Sequence, residues 1–388
     1  MKVPFKIALV APIYLPLLSK YLYSSSDFSF QGMGGSCVTY LADALLTEGA
    51  QLSIHTLDPS LSRPCILKGD HLTIYAGPYR PSRRMRDLMR KERSVLFESL
   101  KIDQPDVVHA HWTYEYAHAA IKSEMPHLIT VHDWAPAILM YHKDLYRLGR
   151  YLMDRIVMRK GLKFTVNSPY LHEKVSRVTK KNVLITPNAI PNQWFLHEEK
   201  CKSSTFRILS INNGFRGRKN VSRLIEAFGN VREAYPDARL TLIGNCYEPN
   251  GEAFIWAKAN GLTGNISFRG ALSNSEIKDS LDESDLLVHP ALEESFGMTL
   301  VEAMARRVPV VAGLSSGAVP WVLDEGRAGK LVDVSDAAAI ANGILELLCD
   351  DRVWTKFSLN GYQHTQKVFN ATHVSRELLK LYKKSASC

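Results

Sequence analysis

Residues 286–312 read LLVHPALEESFGMTLVEAMARRVPVVA, and the pattern of this segment indicates the fold class. It opens with a short apolar run at residues 286–288, which predicts a buried strand. A polar loop leads to a run of good helix formers at residues 298–305, and residues 308–312 predict a second buried strand. A strand, a helix and a strand in succession make the repeating unit of a parallel sheet. The sequence therefore predicts an α/β protein.

Two carboxylates flank the start of the helix in this stretch. Glu294 precedes the helix, and Glu302 lies about one and a half turns inside it. Between them, the first backbone N–H groups of the helix have no partner within it and can bind an anion. These groups belong to Phe296, Gly297, Met298 and Thr299. Such an arrangement suits a sugar, a diphosphate and a ribose in a row, although an exposed helix with ordinary glutamates would carry the same residues.

The segment ESFGMTLVEAMA, residues 294–305, resembles the E-x7-E signature of the retaining glycosyltransferases of family 4. The resemblance extends over nearly the whole chain and is strongest over residues 206–332. It implies a GT-B fold, with two facing Rossmann-like domains and an active site in the cleft between them. It also implies that Glu302 binds the ribose hydroxyls of a nucleotide-diphosphate sugar and that Glu294 binds its sugar hydroxyls.

Two glycine-containing loops strengthen the resemblance. Gly34 and Gly35 follow the first strand and precede a helix, at the place where the family contacts the donor phosphates. Lys219 aligns with a lysine that the family uses to neutralise the departing diphosphate, but Gly214 stands where the family has its arginine. Two nearby residues are candidates to replace that arginine, Arg216 or Arg218.

His132 directly follows the predicted strand at residues 128–131, within a Thr-Val-His-Asp segment that matches a family motif. The resemblance implies that His132 faces the donor sugar and is a catalytic residue, as Glu294 is. A histidine satisfied within the core is the alternative interpretation. His109 and His111 alternate along another predicted strand, but they lack a third ligand, so we expect no metal site. The resemblance likewise implies that no metal or other cofactor is needed.

Length, charge and composition limit the number of domains and the classes of partner. The chain has 388 residues and a net charge of +9, which predicts two domains and suggests an anionic partner. It contains no nucleic-acid-binding motif, no apolar run long enough to span a membrane, and no paired cysteines. The stretch from Arg80 to Arg93 carries a net charge of +5 and leads into a predicted helix. This stretch predicts either an amphipathic helix on an anionic membrane surface or a solvated helix whose apolar stripe faces the core.

The predicted domains are an acceptor-side domain at residues 1–195, a nucleotide-sugar-binding domain at 196–365, and a C-terminal helix at 366–388 that packs back on the first domain. A polar connection is predicted near Pro59, Pro64 and Pro78. The expected function is transfer of a sugar to a glycan or lipid-linked acceptor, in surface polysaccharide or glycolipid synthesis. We expect a cytoplasmic protein, at the inner face of the membrane. A nucleotide-sugar epimerase and a non-catalytic nucleotide-sugar binder are the alternatives.

Overall fold

The computed structural model describes residues 5–23 and 30–386. Its strands are β1 Lys6–Val10, β2 Gln51–Asp58, β3 Cys65–Lys68, β4 Leu72–Pro78, β5 Val107–His111, β6 His127–Val131, β7 Lys163–Val166, β8 Val183–Ile185, β9 Arg207–Ile211, β10 Arg239–Ile243, β11 Ile266–Phe268, β12 Leu286–His289, β13 Val310–Gly313 and β14 Lys330–Val332. Its α-helices are α1 Ser36–Thr47, α2 Arg90–Asp103, α3 Glu115–Ser123, α4 Ala135–His142, α5 Leu145–Lys160, α6 Pro169–Ser176, α7 Val221–Ala234, α8 Glu252–Ala259, α9 Asn274–Asp282, α10 Met298–Ala305, α11 Val319–Val322, α12 Ala337–Cys349, α13 Asp351–Val368 and α14 Ala371–Ala386.

The described chain forms two compact units. The first contains the residues up to Pro191 together with those from Asn370 onward, and the second contains Asn192–Phe369. Helix α14 therefore belongs to the first unit, where Val374 and Leu378 join the same hydrophobic core as helix α1. None of the described helices has an apolar stretch that could cross a membrane.

The first unit contains a sheet with the order β3-β4-β2-β1-β5-β6-β7-β8. All neighbouring strands are parallel except the edge pair β3 and β4, which is antiparallel. The central strand β1 is buried from Ile7 to Val10, because helices cover both faces of a parallel sheet. Strands β1 and β5 are neighbours although β2, β3 and β4 lie between them in sequence, so the chain reverses direction across the sheet at this pair.

The second unit contains a fully parallel sheet with the order β11-β10-β9-β12-β13-β14. Counted within the unit, this order is 3-2-1-4-5-6, the Rossmann arrangement. The reversal lies between β9 and β12, where Leu286 pairs with Ile208 and Leu287 with Leu209. Ligands of such sheets bind beyond the carboxyl ends of the strands at this reversal. A ligand-binding site is therefore expected at the loops after β9 and β12.

Two predictions on the chain between β2 and α2 are wrong. The polar connection predicted near Pro59, Pro64 and Pro78 contains the strands β3 and β4. The residues from Arg80 onward do not form one amphipathic helix, because Arg83, Leu88 and Met89 have positive φ angles and α2 begins only at Arg90.

The arginine at the start of this segment explains the departure from a helix. Arg80 forms ion pairs of 2.8 Å with Asp87 and 2.7 Å with Glu92. The segment folds back so that Met89 is buried and Met85 packs close to Gly149 on α5. Its apolar residues therefore face the protein.

Candidate functional site

The loops after β9 and β12 are joined by hydrogen bonds at the reversal of the second sheet. The Asn220 side-chain amide donates to the carbonyls of Pro290, at 3.1 Å, and Val334, at 2.7 Å. The Leu292 N–H donates to the carbonyl of Arg218 at 2.8 Å. These bonds fix the two loops against each other, and they bring charged residues that are far apart in sequence into one cluster.

The cluster is centred on Glu294. The Lys219 ammonium donates to Oε2 of Glu294 at 2.8 Å. His289 Nε2 lies 3.4 Å from the same oxygen, and Arg218 Nη1 lies 3.8 Å from Oε1. Arg218 also donates to the backbone carbonyl of Glu293 at 2.9 Å. Two cations and a buried histidine thus surround one carboxylate at the end of β12.

This environment determines the charge of Glu294. Burial raises the pKa of the Glu294 carboxyl, but Lys219, His289 and Arg218 outweigh burial and hold the pKa well below its usual range. Burial lowers the pKa of His289, and the nearby Glu294 carboxylate raises it by less than burial lowers it. At neutral pH, Glu294 is therefore ionised and His289 is uncharged, so the carboxylate can accept hydrogen bonds from hydroxyl groups.

The loop after β13 is hydrogen-bonded to the backbone of Glu294. The Ala318 N–H donates to the carbonyl of Glu294 at 2.8 Å, and the Ser316 hydroxyl donates to the carbonyl of Ala291 at 2.6 Å. Gly317 has a φ of +65°, and a Cβ there would lie 2.4 Å from the Glu294 carbonyl oxygen. Only glycine allows this close approach, so the loop that presents Glu294 is rigidly supported.

Helix α10 begins directly beside this carboxylate. Gly297, with a φ of 91°, is the residue before the helix, and Met298 and Thr299 form its first turn. Phe296 is buried and packs edge-on against Phe369, so its contribution to a ligand would come from its backbone N–H. The helix start carries partial positive charge and unpaired N–H groups, which favour an anion next to the cluster.

Glu302 follows on the same helix and is buried. Its carboxylate and that of Glu294 belong to one strand–loop–helix segment, as the sequence predicts.

The two arginine candidates differ in position. Arg216 is 68% exposed and pairs with Glu252 at 2.7 Å, whereas Arg218 lies beside Lys219 and Glu294. Gly214, at the position where the family has arginine, has a φ of +97°, and among the described residues only Lys219 lies within 4 Å of its Cβ position. Both arginines stay candidates for an anion, and Arg218 is the one that the fold places in the cluster.

The first unit carries the remaining predicted residues. His132 lies at the carboxyl end of β6, where its Nε2 is 2.9 Å from Nδ1 of His111 and its Nδ1 is 4.0 Å from Sγ of Cys37. The Trp112 ring packs against it, with ring centroids 4.4 Å apart. Burial lowers the pKa of His132 to about 3, so the ring is neutral at pH 7. A neutral imidazole offers one donor and one acceptor to uncharged groups.

Gly34 and Gly35 directly precede α1, the helix that carries Cys37. Gly35 has a φ of +76°, and a Cβ there would lie 2.3 Å from the carbonyl oxygen of Pro12. Gly34 has a φ of +90°, and no atom of the described residues lies within 4 Å of its Cβ position. The backbone of this loop therefore favours glycine at both positions.

Sequence reasoning missed His289 as a member of the cluster. Its position as the last residue of β12, on the carboxyl edge of a parallel sheet, was an available signal. The described residues contain no group of three or more side chains of His, Cys, Asp or Glu placed to hold a metal.

Known families match both halves of the chain. Residues 192–364 match the family model described as glycosyl transferases group 1, and residues 34–194 match the one described as glycosyltransferase family 4. The two matches together run from residue 34 to residue 364.

Two curated relatives illustrate the range of the likeness. Phosphatidyl-myo-inositol mannosyltransferase of Mycobacterium leprae is 30% identical over 171 residues, which is 44% of this chain and 44% of that protein. The match therefore spans less than half of the length of that relative. N-acetyl-α-D-glucosaminyl L-malate synthase of Bacillus anthracis is 24% identical over 306 residues, or 74% of this chain and 77% of that protein.

Solved structures resemble the whole chain. Sucrose-phosphate synthase from Thermosynechococcus elongatus superposes with a TM-score of 0.79 at 18% identity, covering 98% of each chain. HepE from Anabaena, solved in complex with UDP and glucose, has a TM-score of 0.71 at 15% identity and covers 98% of this chain and 100% of its own. At these identities, the likeness establishes the fold, which is the GT-B fold predicted from the sequence.

Proposed function

Because this chain belongs to the family 4 glycosyltransferases, we propose that it is a retaining enzyme that moves a hexose from a nucleotide-diphosphate sugar to a glycan or lipid-linked acceptor. A role in surface polysaccharide or glycolipid synthesis, on the cytoplasmic side of a membrane, is part of the proposal. The observation that carries it is the position of Glu294, which lies between Lys219, Arg218 and the start of α10.

The cluster suits a donor that combines an anion with hydroxyl groups. In the proposed complex, Lys219 and an arginine, Arg218 or Arg216, bind the diphosphate together with the first N–H groups of α10. Glu294 accepts hydrogen bonds from the sugar hydroxyls, which requires the ionised carboxylate that its neighbours maintain. Glu302 binds the ribose hydroxyls. Each group of the donor thereby meets a protein group of complementary charge or hydrogen-bonding capacity.

The proposed reaction exchanges one bond to the anomeric carbon for another. The bond between that carbon and the β-phosphate oxygen breaks, and its electron pair stays on the diphosphate. The acceptor oxygen bonds to the same face of the carbon, and its proton passes to a β-phosphate oxygen. Lys219 and the helix start stabilise the negative charge that grows on the diphosphate as the bond breaks. No metal is required in this scheme, because the cations of the chain neutralise the leaving group.

In the first unit, we propose that His132 donates or accepts a hydrogen bond with a hydroxyl of the transferred sugar. Its burial and the resulting low pKa support this role, because a neutral ring binds hydroxyl groups without adding charge. None of the residues that the structure describes has an atom within 4 Å of the Cβ position of Gly34, which supports donor phosphates beside this loop. The contact between His132 and His111 fixes the orientation of the ring.

Donor binding is the first test. The protein is titrated with UDP, GDP and ADP and with their sugars, among them UDP-glucose, UDP-N-acetylglucosamine and GDP-mannose, while the thermal midpoint is recorded. A ligand at 100 times its dissociation constant stabilises the native state by about 2.7 kcal/mol, so the correct nucleotide should raise the midpoint and the others should not. A chain that binds none of them would contradict the proposal.

Turnover is the second test, and it separates the alternatives. The donor selected by binding is incubated with lipid-linked and glycan acceptors, with and without EDTA, and the anomeric configuration of the product is read by NMR. Transfer with retention and with no effect of EDTA is expected. Donor isomerisation without an acceptor would indicate an epimerase, and binding without any turnover would indicate a non-catalytic binder.

A further inference from the structure

Helix α5 of the first unit presents an apolar face to solvent. Leu145, Leu148, Leu152 and Ile156 are spaced three, four and four residues apart, so they lie along one side of the helix. Their exposed fractions are 83%, 40%, 48% and 39%. The opposite side of the helix, which includes Met153 and Val157, is buried in the protein. A surface helix normally turns its aliphatic residues inward, so this outward row needs a separate explanation.

The row continues into the preceding helix and is bordered by cations. Met140 and Tyr141 near the end of α4 are also exposed, and we call them and the four α5 residues together the α4–α5 surface. Lys143 lies between the two helices and Arg159 lies near the end of α5. Both side chains are exposed, and neither forms an ion pair with a described residue.

A cationic groove of about 560 Å³ adjoins this surface, and Ile156 lines both. Four cations line the groove from the start of α2, the end of α3 and the end of α5, against one carboxylate, Glu124. These cations are Arg90, Arg93, Lys122 and Lys160. Within the described residues, none of the four forms an ion pair, and Nε of the Arg93 guanidinium is buried without a hydrogen-bond partner. An excess of cations over carboxylates beside an apolar row favours an anionic partner.

We propose that the α4–α5 surface docks on an anionic lipid bilayer, with its apolar row in the headgroup region and the groove cations on lipid phosphates. The row from Leu145 to Ile156 is about 16 Å long at 1.5 Å per residue, and a helix with such a face lies in the plane of a bilayer. Arg90 and Arg93 belong to the basic stretch of the sequence, but the apolar contact comes from α4 and α5.

A second copy of the chain fits this surface less well. A two-fold contact through the row would bring two cationic grooves together, and like charges facing each other oppose association. A bilayer supplies apolar depth and negative charge at once. The docking surface uses residues other than those of the proposed transfer, because it contains neither His132 nor a member of the Glu294 cluster, so vesicle binding and donor binding can be measured separately.

The test is co-sedimentation of the full-length chain with vesicles of phosphatidylcholine, with or without phosphatidylglycerol. We expect binding only to the anionic vesicles, and less of it at high salt. Arg90→Gln/Lys160→Gln should weaken binding about 30-fold, since each cation near an anionic surface contributes about 1 kcal/mol. Its control, Lys258→Gln/Lys356→Gln, removes the same charge from exposed positions of the second unit and should bind as the wild type does.

The apolar row is tested separately with Leu148→Ser/Leu152→Ser, which should weaken binding about tenfold or more. Leu314→Ser/Leu359→Ser is its control, because these leucines are similarly exposed at 56% and 42% but lie in the second unit. Thermal midpoints of the four variants show that each is folded.

Several results would overturn the proposal. One is a wild-type chain that ignores anionic vesicles, and another is equal binding by both test variants and their controls. Loss of binding in inorganic phosphate, but not in chloride of equal ionic strength, would assign the groove to a soluble anion. A dimer that Leu148→Ser/Leu152→Ser dissociates, without vesicle binding, would assign the row to a second copy.

Discussion

Replacing Lys219 by methionine removes one charge from the donor site and keeps most of the side-chain length. In the free protein the Lys219 ammonium is 2.8 Å from Glu294, and both side chains are mostly buried. A diphosphate that loses a charge-assisted hydrogen bond loses about 1.5–3 kcal/mol of binding free energy, or roughly 10- to 150-fold in affinity. Lys219 already has an ion-pair partner, Glu294, before the ligand binds. The net binding free energy that Lys219 contributes to the diphosphate is therefore smaller than this range. We therefore expect Lys219→Met to weaken diphosphate binding by about tenfold.

The measurement is isothermal titration calorimetry with the nucleoside diphosphate that the thermal titration selects and with the matching nucleoside. The nucleoside has no diphosphate, so its affinity should not change. Arg223→Met is the matched control, since Arg223 lies on the following helix and pairs with Glu226. Arg218→Met and Arg216→Met, measured in the same series, show which arginine binds the diphosphate. We expect the larger loss of affinity in Arg218→Met, because Arg218 lies in the cluster.

Two outcomes would refute this reasoning. If Lys219→Met binds the diphosphate as tightly as the wild type, then the ammonium does not contact the leaving group. If diphosphate and nucleoside lose affinity equally, then Lys219 acts only by supporting the loop that carries Glu294.

Three further predictions concern the same site. Glu294→Gln should lower kcat by about 100-fold while nucleotide affinity stays the same, whereas Glu302→Gln should raise the donor dissociation constant about tenfold, as steady-state kinetics and calorimetry would show. Gly317→Ala should lower the free energy of unfolding by about 1–3 kcal/mol, because the new Cβ would lie too close to Glu294. Gly49 also has a positive φ but no described atom within 4 Å of its Cβ position, so Gly49→Ala should lower that free energy by only about 1 kcal/mol. Chemical denaturation measures both values. The pKa of Glu294 in the folded state lies below its ordinary value of 4.5. The stability that its ionised form contributes is therefore present above pH 4.5 and is lost as the pH falls further. The thermal midpoints of the wild type and of Glu294→Gln should accordingly become more similar in acid.

The elements around the site could be predicted because local sequence determines them. Helix α10 has the predicted bounds Met298–Ala305, since strong helix formers follow a glycine in the left-handed conformation. Helix α12 likewise begins after a local signal, because the Asp336 side chain accepts a hydrogen bond from the Ala338 N–H. Alternation of such helices with short apolar runs was sufficient to predict two α/β units.

The region before α2 could not be predicted because long-range contacts override its local pattern. The apolar spacing from Met85 to Leu96 favours one helix, but an ion-paired Arg80 draws the chain back toward Asp87 and Glu92. The strand β4 was missed although the segment carries a signal, since the buried Leu72, Ile74 and Ala76 alternate with less buried residues. Its neighbour in the sheet, β2, could not be read from the segment, because pairing depends on the whole sheet.

Within the site, the sequence could identify residue types but not their contacts. Lys219 and Glu294 are separated by 75 positions and meet because β9 and β12 are neighbours. The choice between Arg216 and Arg218 depends on the direction of each side chain in a loop with two glycines of positive φ, Gly214 and Gly217. That direction is set by contacts with Glu252 in one case and with the loop after β12 in the other.

The sheets of both units reverse their strand order, but the two units place different charges at the carboxyl ends of the strands near the reversal. In the second unit, cations and a helix start surround a carboxylate whose ionised form they stabilise, which suits a diphosphate next to hydroxyl groups. In the first unit, burial keeps His132 and His111 uncharged, so this edge can contact hydroxyl groups without attracting the leaving anion. A cation in place of His132 would add positive charge to this buried edge and remove the neutral ring that bonds to hydroxyl groups. The neutrality of His132 is therefore as much a requirement of the proposed transfer as the charge of Glu294, and a His132→Lys variant that transferred at the wild-type rate would show that this division of charge has no role.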